Sequence, residues 1–264
     1  MDAPTTTNSG YRDRNSTADR ALTILEMFSD TRPSVSAVDV ADKLSVARST
    51  AYRYLESLVS RGYLEESPGG GFRLGIMVLK LAKVARSGFG LSEVALPKMR
   101  ALSSTFGQTV VLTRRAGTSV VCLERELPAG QLLRISYERG SQLPLTAGAS
   151  ALVLLAWLEE SEARELLSST DRPRFTERTL TQVDDLMARL QLIRAEGYSI
   201  THGEVDPDAL GIACPLFDHR QQVVAGLSIV GLGSRIDEEE RGRIIAALKD
   251  AARDISEVLA LSGG

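Results

Sequence analysis

Two arginines and several small or hydroxylated residues crowd the start of one predicted helix, and they carry the clearest binding chemistry in the sequence. Small side chains let a helix enter the DNA major groove, where arginine can donate to guanine edges or to phosphates. Hydroxyls near a helix N-terminus can also donate to phosphate oxygens. The residues of this candidate DNA-binding face are Ala47, Arg48, Ser49, Thr50, Tyr52 and Arg53. For the short Arg-Ser-Thr triplet alone, a solvated helix end is the alternative interpretation.

Residues suited to catalysis or metal binding are few. Only two histidines, His202 and His219, could act as general bases near neutral pH. We expect His219 in an exposed turn and His202 in a loop near a pocket. A metal site at His202, Glu204 and Asp206 is an alternative, because their spacing of two could point all three the same way. The sequence contains no Walker loop, dinucleotide fingerprint or nucleophile elbow. We therefore predict no metal, no cofactor and no enzyme activity.

Three consecutive helix patterns place the basic face in a helix-turn-helix arrangement. Ser16 can cap the first helix, which ends before Pro33. Ser36 starts the second helix with an acidic residue three positions later, and we include this serine among the candidate DNA contacts. Ser45 is expected to cap the third helix, over Val46–Arg61. Three helices with a tight turn before the last are typical of a DNA-binding helix-turn-helix.

A hairpin pattern follows the third helix. Gly62–Glu66 and Phe72–Leu74 read as strands, and the turn residues Ser67–Gly71 separate them. This hairpin is interpreted as a wing, and Arg73, its only basic residue, is a candidate for a minor DNA contact. Residues 16–75 are therefore predicted to form a winged helix-turn-helix domain, preceded by a disordered arm at residues 1–15.

The rest of the chain is predicted to form a connecting segment and a larger α+β domain, which is called the body. Residues 76–90 keep a helical period until glycines interrupt it, which predicts a linker helix, with a plain amphipathic connector as the alternative. Residues 91–264 mix strand and helix patterns, as an α+β sensor domain would. The predicted strands are Thr109–Arg114, Ser119–Arg125, Leu132–Ser136, Gly211–Phe217 and Val223–Val230, and the predicted helices are Ala149–Leu158, Glu159–Leu167, Leu180–Glu196 and Asp237–Leu261.

Several segments, taken in order, resemble the IclR family of bacterial transcriptional regulators. In the N-terminal part they are Arg20–Leu25, Val40–Leu44, Arg48–Leu55, Leu58–Leu64 and Phe72–Gly75; in the body they are Gly140, Leu143–Leu152, Gly197–Ser199, Gly211–Asp218 and Ala225–Gly231. Ser150 and Leu232 depart from the pattern, which usually has Lys and Pro there. The resemblance covers nearly the whole chain from Thr17. It implies a GAF-like effector-binding domain and a linker helix that helps to pair two DNA-binding heads.

A pocket for the effector is expected in the body. The turn at Thr146, Ala147, Gly148 and Ala149 precedes a helix, so its amides could bind a carboxylate. The resemblance places further pocket residues at Asp206, Ile212, Cys214, Leu216, Ser228 and Val230. The alternatives are a surface turn for Asp206, a small buried apolar side chain for Cys214 and a satisfied strand hydroxyl for Ser228. The expected effector is a small organic acid of carbon or aromatic catabolism.

Composition and charge suit this organisation. Residues 1–86 hold 12 Lys and Arg against 10 Asp and Glu, whereas the remainder holds 19 against 24, so the only basic part is the predicted DNA-binding end. No apolar run reaches a membrane-spanning length, and Cys122 and Cys214 fit no disulfide framework. We expect a cytoplasmic repressor, a homodimer or dimer of dimers, whose partners are double-stranded operator DNA and the effector. The alternatives are a winged helix used only for protein association and, less favoured, an enzyme that uses the pocket of the C-terminal domain.

Overall fold

The computed structural model describes residues 16–29, 31–88, 90–128 and 138–262 of the 264-residue chain. Contacts between residues divide the chain into two compact units, residues 1–88 and residues 89–264. The predicted strand at Leu132–Ser136 and the predicted arm at residues 1–15 lie outside the described residues. In the described part of the chain, no helix is both long enough and apolar enough to cross a bilayer.

The first unit contains four helices and a two-stranded hairpin among its described residues. In chain order they are α1 (Ser16–Glu26), α2 (Ala37–Leu44), α3 (Arg48–Ser60), β1 (Leu64–Glu66), β2 (Phe72–Leu74) and α4 (Ile76–Gly88). Apolar residues of the first three helices and both strands form one buried cluster, which includes Ile24, Val40, Leu55, Leu64 and Phe72. The winged helix-turn-helix arrangement is therefore present as predicted.

The predicted caps of the second and third helices have different outcomes. Ser36 caps α2 in a capping box: the Asp39 amide donates to Ser36 Oγ, and the Ser36 amide donates to Asp39 Oδ2. Ser45 does not cap α3, and that prediction is wrong. It adopts a left-handed conformation with φ of 52° and ends α2, its amide donating to the carbonyls of Ala41 and Asp42. Ala47 occupies the N-cap position directly before α3, where no side chain caps the helix.

The wing is tied to the helices by backbone contacts. Phe72 exchanges both backbone hydrogen bonds with Val35, which lies between α1 and α2. Gly62, directly after α3, has a positive φ of 75°. At Gly75 a Cβ atom would lie 2.4 Å from the carbonyl oxygen of Gly62, so only glycine lets the chain pass this closely. The hairpin is therefore held through Phe72 by the segment between α1 and α2, and through Gly75 by the residues that follow α3.

The second unit is built on a six-stranded antiparallel sheet with the strand order β5-β4-β3-β8-β7-β6. Its strands are β3 (Thr109–Ala116), β4 (Ser119–Glu126), β5 (Gln142–Pro144), β6 (Ser199–His202), β7 (Ala209–Phe217) and β8 (Val223–Leu232). Four of these match predicted strands. The short edge strands β5 and β6 were not predicted, because neither has the length or the apolar alternation of an independent strand.

Helices cover both faces of this sheet. On one face lie α5 (Leu91–Phe106) and α9 (Glu238–Ser262), and on the other lie α6 (Ala149–Leu155), α7 (Glu160–Ser169) and α8 (Val183–Glu196). Each face has its own buried cluster of Leu, Ile, Val, Met and Ala side chains. This α+β architecture agrees with the prediction. The face that α6 covers is called the α6 face below.

Candidate DNA interface and effector pocket

The basic end of α3 is a solvent-exposed surface. Ala47, Arg48, Ser49, Tyr52 and Arg53 are all exposed, and only Thr50 is half-buried. The opposite side of α3 is held by the buried residues Ala51, Leu55 and Leu58. The structure therefore brings the predicted DNA-binding residues of α3 together on one accessible face.

An aromatic contact joins this face to the wing. The Arg48 guanidinium lies 5.8 Å from the centroid of the Tyr52 ring, within the range of a cation–π interaction. The Tyr52 ring meets Phe72 of β2 edge to face, with centroids 6.4 Å apart. Tyr52 thus orients the first arginine of the helix and leaves its charge exposed. Periodicity alone does not reveal that the wing supports this tyrosine.

The arginines of α3 differ from the arginine of the wing. Within the described residues, neither Arg48 nor Arg53 forms an ion pair. Arg73 lies across the strand pair from Glu65, and its Nη2 is 3.1 Å from Glu65 Oε2. An exposed arginine without an acidic side chain beside it can bind a phosphate without first breaking an ion pair. The surface charge therefore favours Arg48 and Arg53 over Arg73 as DNA contacts.

Two further polar contacts hold the helices in place. The Ser36 hydroxyl donates to Asp39 Oδ2 at 2.8 Å, so this predicted DNA contact is already engaged in the capping box. The amide and hydroxyl of Ser36, with the Arg32 guanidinium 2.8 Å away, keep the pKa of Asp39 below its ordinary value. Sequence reasoning missed the contact from Arg20 Nη1 to the Tyr54 hydroxyl at 3.1 Å, which joins α1 to α3.

The α6 face of the sheet carries a cavity of about 30 Å³, large enough for water-sized groups. Four predicted effector residues line it: Gly148, Ala149, Asp206 and Val230. Its other lining residues are Ser150, Thr201, Glu204, Val205, Ala209 and Gly211. Thr146 and Ala147 are buried in the turn before α6, where Thr146 Oγ1 has no hydrogen-bond partner among the described residues.

The amides expected to receive a carboxylate are already in use. The Gly148 amide donates to Glu204 Oε2 at 3.4 Å, and the Ala149 amide donates to Thr201 Oγ1 at 3.0 Å. The Glu204 side chain is 5% exposed and lies 3.6 Å from Arg189 Nη1. Burial raises the pKa of Glu204, although the Gly148 amide and the Arg189 charge act against it. Sequence reasoning missed Glu204 and Thr201 as partners of this turn, because more than 50 residues separate them from it.

The predicted pocket residues on the last two strands do not share one face. Register pairs Ala213 with Ser228 and Gly211 with Val230, so Ser228 and Val230 lie on the α6 face. Ile212, Cys214 and Leu216 point the opposite way and belong to the core beneath α5 and α9. Placing those three in the same pocket is therefore a wrong prediction. Ser228 Oγ is itself paired, 2.8 Å from Ser150 Oγ.

The remaining candidate groups are separated from one another. His202 is exposed at the end of β6, whereas Glu204 is buried against the turn before α6. The described residues include no group of three or more His, Cys, Asp or Glu able to hold a metal ion. Burial raises the pKa of Cys122 to about 11 and that of Cys214 to about 12, so both thiols are protonated at neutral pH.

Both units match known protein families. Residues 17–68 match the family model described as the IclR helix-turn-helix domain. Residues 84–257 match the one described as the bacterial transcriptional regulator IclR C-terminal domain. These two matches divide the chain in the same order as the two compact units.

Individual relatives agree over nearly the full length. The HTH-type transcriptional regulator XynR of Escherichia coli K12 is 30% identical over 243 residues, 91% of this chain and 96% of XynR. The HTH-type transcriptional repressor AllR of the same strain is 30% identical over 244 residues, 92% of this chain and 90% of AllR. The crystal structure of an IclR homolog from Microbacterium hydrocarbonoxydans, complexed with 4-hydroxybenzoate, superposes with a TM-score of 0.79 at 29% identity, covering 92% of this chain and 98% of that one.

Proposed function

Because the chain belongs to the IclR family of bacterial transcriptional regulators, we propose that it represses transcription by binding an operator through α3. Its relatives are DNA-binding regulators rather than enzymes, and AllR is named a repressor. The observation that carries the DNA contact is the pair of exposed arginines on α3, Arg48 and Arg53, which lack acidic partners among the described residues. Arg48, as the first residue of the helix, is the candidate for reading a base edge.

We further propose that two or four copies act together. One recognition helix contacts too few base pairs to give operator specificity, so the DNA-binding domain of a second copy is required. The apolar residues that α4 leaves exposed support pairing through this helix: Ile76, Leu79, Leu81 and Val84. Residues 76–90 then serve as the linker between a DNA-binding domain at residues 16–75 and an effector domain at residues 91–264. Such a protein acts in the cytoplasm, where its operator lies.

The effector is proposed to be a small organic acid. The solved relative that holds 4-hydroxybenzoate supports this class, as does a cavity on the α6 face where polar and apolar groups meet. Regulation requires that the acid bind more tightly to one of two states of the protein, one competent to bind the operator and one not. Residues 76–105 connect the part of the chain that binds the operator to the part that binds the effector.

Fluorescence anisotropy with the promoter fragment upstream of the gene tests this function. We expect specific binding that weakens steeply between about 50 and 200 mM salt, since phosphate contacts release counterions. A panel of small carboxylic acids is then added at saturation. If the protein binds the DNA specifically and none of the acids changes its affinity, the regulator function stands and the proposal of a small organic acid as effector is wrong. Repeated failure to bind this and other promoter fragments would favour the alternative function, a winged helix used only for protein association.

A further inference from the structure

Three consecutive residues of one irregular segment form a wall of the cavity on the α6 face. They are Glu204, Val205 and Asp206, and they lie in the connection between β6 and β7. This connection is closed at its base by the Gly203 amide, which donates to the Ala209 carbonyl at 2.8 Å. Because the wall belongs to no helix or strand, contacts from other segments decide how firmly it is held.

The connection between α7 and α8, residues 170–182, supplies two such contacts. The Thr176 hydroxyl donates to the Gly203 carbonyl at 2.5 Å, and the Thr179 hydroxyl donates to the Glu204 carbonyl at 2.6 Å. Both distances are at the short end of the range for a hydroxyl donor. Two threonines of one connection therefore hold two successive carbonyls where the wall begins.

Thr179 uses the whole hydrogen-bonding capacity of its side chain. The residue is 4% exposed, and its hydroxyl oxygen accepts from the Phe175 and Thr176 amides at 3.1 and 2.9 Å. A threonine hydroxyl has one proton to donate and two lone pairs that accept. Since both lone pairs are occupied, the single proton is directed to the Glu204 carbonyl. This hydroxyl therefore fixes the Glu204 main chain in one geometry.

The Glu204 side chain carries this constraint to the turn before α6. Its Oε2 accepts from the Gly148 amide at 3.4 Å, its Oε1 lies 3.6 Å from Arg189 Nη1, and the side chain is 5% exposed. Both distances are longer than those of strong contacts, so a small displacement of the Glu204 main chain would break them. Thr179 thus determines where a carboxylate of the cavity lies, although Thr179 itself does not line the cavity.

We propose that Thr179 is a positioning residue of the effector site, whose hydroxyl holds Glu204 and the two residues after it in the arrangement that binds the effector. The inference rests on the proposed function and deepens it, because it extends the control of effector binding from the cavity to the connection between α7 and α8. A wall that is already ordered loses less conformational freedom when a ligand binds. Removing this one hydroxyl outside the cavity should therefore weaken effector binding.

Hydrogen exchange followed by mass spectrometry on the full chain tests the positioning step without an effector. Thr179→Val has nearly the same shape but no hydroxyl. In this variant the peptide that contains Gly148 should exchange about tenfold faster or more, which corresponds to the loss of one hydrogen bond. Thr179→Ser keeps the hydroxyl and should exchange as the unaltered protein does. Unchanged exchange at Gly148 in Thr179→Val overturns the inference.

Thr170→Val is the matched control from the same connection. Thr170 Oγ1 is buried and has no hydrogen-bond partner among the described residues, so the substitution removes a hydroxyl without removing a hydrogen bond. We expect the Gly148 peptide to exchange in this variant as it does in the unaltered protein. Faster exchange in both valine variants would show that the contact from Thr179 to Glu204 is not the cause, and would overturn the inference.

Calorimetry with benzoate, 4-hydroxybenzoate, propionate and succinate tests the effect on binding. Any acid that the unaltered protein binds should bind about tenfold more weakly to Thr179→Val, and equally well to Thr179→Ser and Thr170→Val. Equal affinity in Thr179→Val overturns the inference. Operator binding without acid should be the same in all four proteins, since both threonines lie in the second unit. If none of the acids binds, the proposed effector class is wrong, and the exchange of the Gly148 peptide alone decides whether Thr179 positions Glu204.

A further measurement covers a Thr179→Val protein that does not fold. In the unaltered protein the Phe175 and Thr176 amides donate to Thr179, and neither residue lines the cavity. Saturation with an acid that binds should slow their exchange, because the wall that the acid contacts is held through Thr179. Unchanged exchange of these two amides on saturation overturns the inference.

Discussion

At the scale of single residues, Arg48 and Arg73 of the DNA-binding unit are expected to contribute differently to operator affinity. Arg48→Ala should weaken operator binding by roughly 1–3 kcal/mol if its guanidinium reads a base edge. Arg73→Ala is the matched control and should change the affinity little, because Arg73 already pairs with Glu65. Anisotropy titrations on the operator and on random DNA distinguish the roles. An equal loss on both DNAs would identify Arg48 as a phosphate contact instead.

Glu204 gives a prediction about stability. Its buried carboxylate is an acceptor for the Gly148 amide, so Glu204→Ala should cost about 1–3 kcal/mol of unfolding free energy by leaving that amide unpaired. Glu204→Gln keeps an acceptor oxygen and should cost less. Urea denaturation of both variants beside the unaltered protein measures these differences. Equal losses in the two variants would show that the contact to Gly148 is not what matters.

The pH dependence of the same comparison has a defined sign. Because the pKa of Glu204 is raised in the folded state, the folded protein binds its proton more tightly than the unfolded chain does. Stability conferred by this group is therefore highest at low pH and falls as the pH rises from the ordinary value, 4.5, through the raised one. Glutamine does not titrate, so Glu204→Gln should gain relative to the unaltered protein over that interval. A difference that is constant with pH would contradict the raised pKa.

At the scale of elements, the two serines flanking α2 have separable effects. Ser36→Ala removes the capping box and should cost about 0.5–2 kcal/mol of unfolding free energy. Ser45→Gly should be neutral or stabilising, because Ser45 has a φ of 52° that glycine adopts without strain. Urea denaturation compares the two. A large loss in Ser45→Gly would mean that its side chain does cap α3.

Local patterns account for much of this fold, and the errors have a common physical origin. The capping box at Ser36 and the positive φ at Gly62 involve neighbours in sequence, so they could be predicted. Ser45 ends α2 in a left-handed conformation that glycine or asparagine usually takes, so its residue type gave no signal for this cap. The side of β7 that faces the pocket depends on which residue of β8 lies opposite Ala213, and no periodicity within one strand encodes that register.

The same limit applies to the pocket. Sequence reasoning identified the turn before α6. Four of the predicted effector residues line one cavity, two of them in this turn. It did not identify Glu204 and Thr201 as partners of this turn, because only the folded sheet brings them near it. Buried polar side chains without a local partner are thus where a structure adds most to a sequence-based site.

At the scale of the whole molecule, operator binding should depend on pairing through α4. Leu79 is 67% exposed there, and burying a leucine against a second copy contributes about 1.5–3 kcal/mol. Leu79→Ser should therefore weaken operator binding by on the order of tenfold or more, at 1.4 kcal/mol per factor of ten. The expected loss is confined to fragments that carry both half-sites, because a single head on a half-site gains nothing from the partner.

Leu192→Ser, at a comparably exposed leucine of α8, serves as the control and should leave operator affinity unchanged. Sedimentation velocity on both variants reports whether oligomer mass changes along with affinity. A Leu79→Ser protein of normal mass with weakened operator binding would show that other surfaces hold the copies together while α4 aligns the heads. If Leu79→Ser binds the two-half-site fragment as the unaltered protein does, α4 does not pair the heads, and the exposed leucine needs another partner.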